Sequence, residues 1–367
     1  MAILKKILRL KVLVASLFVF GQTTGYCESS PPPKVSICIA VYNGEPYVGG
    51  AIDSALAQTC GDIEIVCLDD GSTDGTAAIL SAYAAKDPRV RIFSNGSNRG
   101  LLHSLLRCIE LSSGDYIMWL DADDELYPDI VERSYGKAVD TKADLVLFAS
   151  DWIANDGTKV GVPQWAKLRG TETATALDGG IKLLELYAED KVTVFVWGKL
   201  WSRERLRNIL PALVPFGEVN NVSRSSDVAF NCYALWEMRN YVVIGDAGHR
   251  YYAKRGVDAT CGTKNFAYNR KCVSDAIAAQ NLSYAFGDAT GQMKLAQKIA
   301  NKMNWDMFCK IDNMSRSEGF AAFDEVLQST PAQHRKEILN DMKKIRRHFY
   351  SAYEKNKSAQ QRKNLKA

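Results

Sequence analysis

The sequence predicts an α/β fold with a mostly parallel sheet flanked by helices, followed by a helical C-terminal extension. Three observations carry that expectation. Between Lys34 and Ser150, short apolar runs alternate with segments of helical spacing. The runs are continuously apolar, as strands buried on both faces are. From about Asn265 onward the strand pattern stops and helical spacing remains.

Along the chain, "VSICIAVY" is the first strand. "PYVGGAIDSALAQ" places Val48, Ile52, Ala55 and Leu56 at helical spacing. "IEIVCL" is the second strand. "TAAILSAYAAK" is a helix with Ser72 or Thr73 positioned to cap it. "VRIF" is a third strand, "LLHSLLRCIEL" a helix and "DYIMWL" a fourth strand. "PDIVERSYGKAV" opens with Pro128 at a first-turn position. "ADLVLF" is the fifth strand. This alternation indicates a layered α/β domain. After Ser150 the pattern loosens. Residues 151–180 read as loops and a hairpin, and a helix follows at about 179–189. Then come "VFVWGKLW", a helix around Asp227–Met238, and the strand-like "YVVI" and "RYYAK".

Bulk properties narrow the function. The chain has 367 residues, 47% hydrophobic and 24% charged, which suits one large core or two moderate ones. Its net charge of +4 is concentrated at the two ends, so the middle is slightly acidic. That excludes a broad nucleic-acid-binding face. The basic stretch from Arg335 reads as a solvated helix end or as a contact with an anionic membrane surface. Nine cysteines, with no CxxC pair, form neither a disulfide scaffold nor a zinc site.

The first thirty residues stand apart. A basic start precedes an apolar run from Val12 to Phe20, then small and polar residues. This reads as a signal peptide or membrane anchor over 1–28, with a Pro-rich linker at 29–33. The expectation is an exported or membrane-associated chain; the alternative is a domain held on the cytoplasmic face. The α/β core is expected over 34–262, divided into 34–150 and 151–262, with a helical region at 263–367.

Two strand ends carry unusual charge. "EIVCLDDGSTDGT" ends an apolar strand in Asp69 and Asp70. "YIMWLDADDEL" ends another in Asp121, Asp123 and Asp124. In open α/β sheets, ligands bind at the carboxyl ends of strands. Adjacent carboxylates repel unless they face donors, water or a cation. Asp74 or Ser72 could serve as a helix cap, and the second turn could be a solvated acidic bend. Three carboxylates in four residues suit Mn²⁺ or Mg²⁺ completed by phosphate oxygens.

These residues resemble a known family. "VSICIAVYNGEPYVGGAIDSALAQT", "EIVCLDDGSTDGT", "NRG" and "SGDYIMWLDADDEL" are similar, in order and spacing, to the family 2 glycosyltransferases of GT-A fold. The resemblance implies a Rossmann-like sheet and an inverting, metal-dependent transfer from a nucleotide-sugar, a UDP-sugar first, to a glycan, lipid-linked or protein-linked hydroxyl. It implies that Ala40, Val41, Tyr42, Asn43 and Glu45 line the nucleotide pocket. It also implies that Asp69 and Asp70 bind base and ribose, and that Asp121 and Asp123, with Asp124 adjacent, meet ribose and metal. Asp123 is the first choice of ligand.

The later half resembles the family more loosely. "VWGKLWSRERL" places Trp197 and Lys199 on the acceptor side, and "HRYYAKRGVDATC" offers His249, Tyr252 and Arg255 as acceptor, phosphate or lid contacts. "RSSDVAFNCYAL" keeps Asp227 at the catalytic-base position, with Ser226 where the family has Glu. A helix N-cap is the competing reading of Asp227. The Ala-Arg-Asn that often follows the "NxG" motif is replaced by Ser104, Leu105 and Leu106, leaving Arg99 or Arg107 to substitute. Two other functions compete. One is a non-catalytic or donor-hydrolysing binding protein on the same fold. The other is a haloacid dehalogenase-like phosphatase, whose Asp-x-Asp arrangement neither acidic turn reproduces.

Overall fold

The structure is a computed structural model. It describes residues 33–354 apart from 155, 163–178, 253–254, 256–265, 313, 315, 348–349 and 352. The first half alternates β1 (Val35–Val41), α1 (Val48–Leu56), β2 (Ile63–Asp69), α2 (Thr76–Lys86), β3 (Val90–Ser94), α3 (Leu101–Leu111) and β4 (Tyr116–Trp119). Then come β5 (Glu125–Leu126), α4 (Ile130–Thr141), β6 (Leu145–Ile153) and β7 (Lys159–Val160). The second half contains α5 (Gly179–Ala188), β8 (Lys199–Ser202), α6 (Arg203–Arg207), α7 (Leu210–Gly217), α8 (Ser226–Glu237) and β9 (Tyr241–Tyr252). The C-terminal helices are α9 (Phe266–Thr290), α10 (Met293–Asp312), α11 (Arg316–Ser329) and α12 (Arg335–Ile345).

The described strands form one sheet in the order β3-β2-β1-β4-β8-β6-β9-β5, with β7 on β6. β1 pairs in parallel with both β2 and β4, and β2 with β3. Their carboxyl ends therefore share one edge, and both acidic turns lie along it. β1 and β2 are buried on both faces because period-2 alternation sends their apolar residues to opposite layers. Ile37, Ile39, Ile65 and Cys67 pack under Val48, Ile52 and Leu80 of α1 and α2. Cys38, Val66 and Leu68 pack instead with Leu102, Leu105 and Ile109 of α3.

Two features depart from the sequence reading. The "VWGKLW" segment supplies β8, which inserts antiparallel between β4 and β6. "YVVI" and "RYYAK" belong to one strand, β9, parallel to β6 with register shifts at Phe148/Ala149 and Ala149/Ser150. The shift brings Gly248 against Ile130, where a Cβ would lie 2.3 Å from that side chain. The shift also sets His249 opposite Ser150 and, across the strand, opposite Leu126. The C-terminal helices share a core with the first half: Ile277, Leu282 and Phe286 belong to one cluster with Leu102, Ile109 and Trp119.

The expectation of an exported or membrane-associated chain is corrected. No helix among the described residues is long and apolar enough to cross a membrane. The segment that carried the expectation, residues 1–32, lies outside the described residues, as does the basic tail beyond 354.

Candidate active site

The β1–α1 and β2–α2 loops clasp each other at the sheet edge. Asn43 takes a left-handed φ of 53°, its N–H donates to Ser72 Oγ at 2.9 Å, and its Oδ1 accepts Thr73 N–H at 2.8 Å. Glu45 N–H donates to Asp74 Oδ2 at 3.1 Å, and Glu45 Oε2 accepts Gly75 N–H at 2.8 Å. Asp74 Oδ1 accepts Thr76 Oγ1 and N–H at 2.6 and 3.1 Å. Asp74 thus serves the start of α2, as one of the three residues (with Ser72 and Thr73) expected to cap it. The bonds to Thr76 and to the Glu45 N–H hold the Asp74 carboxyl below its usual range against the opposing effect of burial. Tyr42 stands out from the clasp, 47% exposed, and Ala40 is half-buried at the end of β1.

Asp69 and Asp70 have different tasks. Asp69 Oδ1 accepts Ser72 N–H at 2.9 Å, turning the chain out of β2. Asp70 is 4% exposed, and its carboxylate is surrounded by donors of the β3–α3 loop. Oδ1 accepts Asn95 Nδ2 at 2.7 Å and Arg99 N–H at 2.9 Å; Oδ2 accepts Gly100 N–H at 2.9 Å. Asp70 therefore holds the β3–α3 loop, with three protein donors shared between its two oxygens. Glu45 is likewise engaged in the clasp.

At the end of β4, Asp121, Asp123 and Asp124 converge, with a ligand atom of each within 4.8 Å of the others. Asp124 is 1% exposed. Its Oδ1 accepts Tyr252 N–H at 2.9 Å, and its Oδ2 lies 3.2 Å from Nε2 of the fully buried His249 without hydrogen-bond geometry. Asp121 and Asp123 are half-buried and Asp124 lies deeper, joining the cluster to β9. Converging carboxylates with one buried oxygen lacking a hydrogen bond fit a hard divalent cation.

The residues expected on the acceptor side are buried instead. Trp197 is 3% exposed, and Lys199 and His249 are fully buried. Trp197 stacks on Phe195 at 4.1 Å and on His249 at 4.5 Å, so these rings support the cluster from behind. Lys199 Nζ donates to Thr193 O at 3.2 Å, Thr193 Oγ1 at 3.1 Å and Phe195 O, fixing the loop before β8. Burial pulls the Lys199 amine down to about 7, against the charge of Asp227, which holds it up.

Asp227 occupies the first turn of α8 and is half-buried. Phe230, one turn on, packs edge-to-face on Trp119 at 5.1 Å. Trp119 ends β4, so the helix of Asp227 is seated on the strand that carries the acidic cluster. Ser226, where an acid was expected, turns Oγ to Ser223 O at 3.0 Å. The substitutes suggested for the missing arginine have other partners. Arg99 pairs with Glu218 at 2.7 Å and Arg107 with Glu110 at 2.8 Å. Leu105 is a core residue of α3. Arg255 lies with its guanidinium 3.4 Å from the Tyr252 ring centroid and 5.6 Å from that of Tyr47. Sequence reasoning missed Glu218 and Asp275, whose partners are largely backbone groups or lie far away in sequence.

Residues 36–195 match glycosyl transferase family 2. The chain carries a family 2 glycosyltransferase domain. Chondroitin synthase of Escherichia coli is 45% identical over 100 residues, 27% of this chain and 14% of that protein. The uncharacterized glycosyltransferase EpsJ of Bacillus subtilis (strain 168) is 36% identical over 219 residues, 60% of this chain and 61% of that protein. The chain thus spans less than two thirds of the length of these relatives. The S. aureus TarS 1–349 structure in complex with UDP-GlcNAc superimposes with a TM-score of 0.53 at 16% identity, covering 89% of this chain and 92% of that one. That likeness is one of fold, the GT-A arrangement of a mostly parallel sheet between helices. Within the family 2 domain lie the clasp, Asp69, Asp70 and the acidic cluster; Asp227 and α9 lie beyond the matched segment.

Proposed function

We propose that the chain transfers a sugar from a nucleotide-diphosphate sugar to a hydroxyl acceptor, with inversion at the anomeric carbon. The carrying observation is the convergence of Asp121, Asp123 and Asp124 beside the Asn43–Ser72 clasp, within the family 2 segment. The TarS complex with UDP-GlcNAc supports a UDP-sugar as the first donor to test. Glycan, lipid-linked and protein-linked hydroxyls are the acceptor classes.

Ala40, Tyr42 and Asn43 border the nucleoside, and Asp69 accepts hydrogen bonds from it. Asp123, Asp121 and Asp124 would hold Mn²⁺ or Mg²⁺, with His249 behind Asp124. When bound, the cation neutralises the diphosphate leaving group. Asp227 takes the acceptor hydroxyl proton as its oxygen attacks the anomeric carbon and the bond to the diphosphate breaks. Such base catalysis contributes roughly 10²- to 10⁴-fold. Ser226 in place of an acid favours one second reading, a protein that binds or hydrolyses donor without transfer.

The test is thermal stabilisation of the full chain by UDP, GDP and CDP, with and without Mn²⁺. Ligand at a hundred times its dissociation constant adds about 2.7 kcal/mol. A Mn²⁺-dependent shift with one nucleotide, lost in Asp123→Ala, is the expected result. A folded chain that no nucleotide stabilises would sink the proposal.

A further inference from the structure

We infer that Asp275 is a positioning residue for Asp227, acting from α9 on the backbone that leads into α8. The inference rests on the base assignment proposed above. Asp275 is 2% exposed. Its Oδ2 accepts Ser223 N–H at 3.1 Å and Arg224 N–H at 2.9 Å. Its Oδ1 accepts Lys271 Nζ, one helical turn earlier, and the same ammonium donates to Asn221 O. A single turn of α9 therefore grips the strip at 221, 223 and 224. Two successive N–H groups aimed at one carboxylate make an anion nest, which fixes the direction of the peptide planes.

That direction matters because the helix of the base starts just beyond the strip. Ser225 takes a left-handed φ of 59°, and α8 begins at the next residue. Ser226 Oγ donates back to Ser223 O, tying the turn to the gripped strip. Asp227 comes directly after. From the other side, Leu102 N–H donates to Val222 O at 2.9 Å and Asn221 Nδ2 to Asn98 O at 2.9 Å. The strip is thus clamped between the donor-side loop and α9. A buried carboxylate needs partners for stability alone. Here the partners are the amides that precede the base, so moving them moves the base.

The test uses the full chain with Mn²⁺ and UDP-glucose, UDP-N-acetylglucosamine or GDP-mannose, with water as acceptor. The water oxygen attacks the anomeric carbon, its proton passes to Asp227 and the nucleoside diphosphate leaves. Asp275→Asn keeps the side chain's shape and removes its charge. A misplacement of about 1 Å costs up to about a hundredfold, so kcat for diphosphate release should fall about tenfold to a hundredfold. Donor KM should stay within about twofold. Amide exchange over 221–230 should rise about tenfold or more, while α9 itself stays protected. Tyr353→Phe, which removes the bond to Asp324 elsewhere in the C-terminal helices, should lower the melting temperature without lowering kcat.

A kcat within about twofold of wild type, with Asp227→Asn inactive, overturns this inference and leaves the base assignment standing. Wild-type release by Asp227→Asn overturns the base assignment and this inference together. If Asp275→Asn does not fold, Lys271→Met takes its place, with the same split expected at smaller amplitude. If no donor is hydrolysed, unchanged exchange over 221–230 in either variant overturns the inference.

Discussion

Asp70→Asn separates a carboxylate that holds a loop from one that holds a ligand. The native carboxylate receives three donors: Asn95 Nδ2, Arg99 N–H and Gly100 N–H. The best orientation of the new amide keeps its oxygen toward Asn95 and Arg99 and sets its NH₂ against Gly100 N–H. Losing a charged bond and leaving a buried donor unpaired costs about 2–3 kcal/mol. The other two bonds fall from charged to neutral, costing about 0.5–1 kcal/mol each. The total is about 3–5 kcal/mol. At about 2 °C per kcal/mol for a chain of this size, the melting temperature should fall by roughly 6–10 °C.

Urea and thermal unfolding measure this, and UDP titration supplies the contrast. Asp69→Asn, which weakens the Ser72 N–H bond to its carboxylate, should cost about 1 kcal/mol of stability and about tenfold or more in UDP affinity. If Asp70→Asn loses less than about 1 kcal/mol while UDP affinity collapses, the loop-holding account is wrong and Asp70 faces the nucleoside after all.

Two further outcomes depend on single residues. Lys199 titrates near 7 when folded and near about 10.4 when unfolded, so between those values the unfolded chain binds more protons and stability rises with pH. Urea unfolding from pH 6 to 9 should therefore show the wild type gaining on Lys199→Met by an amount on the order of a few kcal/mol; parallel profiles would show that the amine stays charged. Gly100 has φ 90° and ψ 158°, a region essentially reserved for glycine, and a Cβ there would lie 2.8 Å from Asn221 Oδ1 and 2.9 Å from Val222 N. Gly100→Ala should cost about 1–3 kcal/mol and raise amide exchange across the 221–222 strip; wild-type stability would mean that the two loops do not meet.

What was legible in the sequence depends on locality. The alternation of β1, β2, β3, β4 and β6 with their helices was readable because these strands are short, mainly apolar runs and each helix repeats at its own period; β5, the two residues Glu125–Leu126, was not, because it carries no run at all. The acidic cluster was readable because the repulsion among Asp121, Asp123 and Asp124 is a property of four consecutive residues. β8 was not, because "KLWS" is four residues long and opens with a lysine. Lys199 is buried only because the carbonyls of 193 and 195 receive its donors. The same limit explains Trp197 and His249, whose burial depends on stacking across strands. Asp70 looked like a ligand contact because its partners are mostly backbone N–H groups 29 and 30 residues away, which no side-chain pattern announces.

The two sides of the site are joined through such silent groups. Asp70 fixes the 95–100 loop through backbone amides. That loop meets the 221–222 strip at Gly100, Asn98 and Leu102. Asp275 takes the next two amides, and Ser225 and Ser226 turn the chain into the helix of Asp227. The relation between the 95–100 loop and the start of α8, where the proposed base Asp227 stands, is therefore held at each end by a buried carboxylate that accepts N–H groups. The start of α8 is thus set by the backbone of the strip together with the Ser226 Oγ bond to Ser223 O, and that turn forms without an acid at position 226.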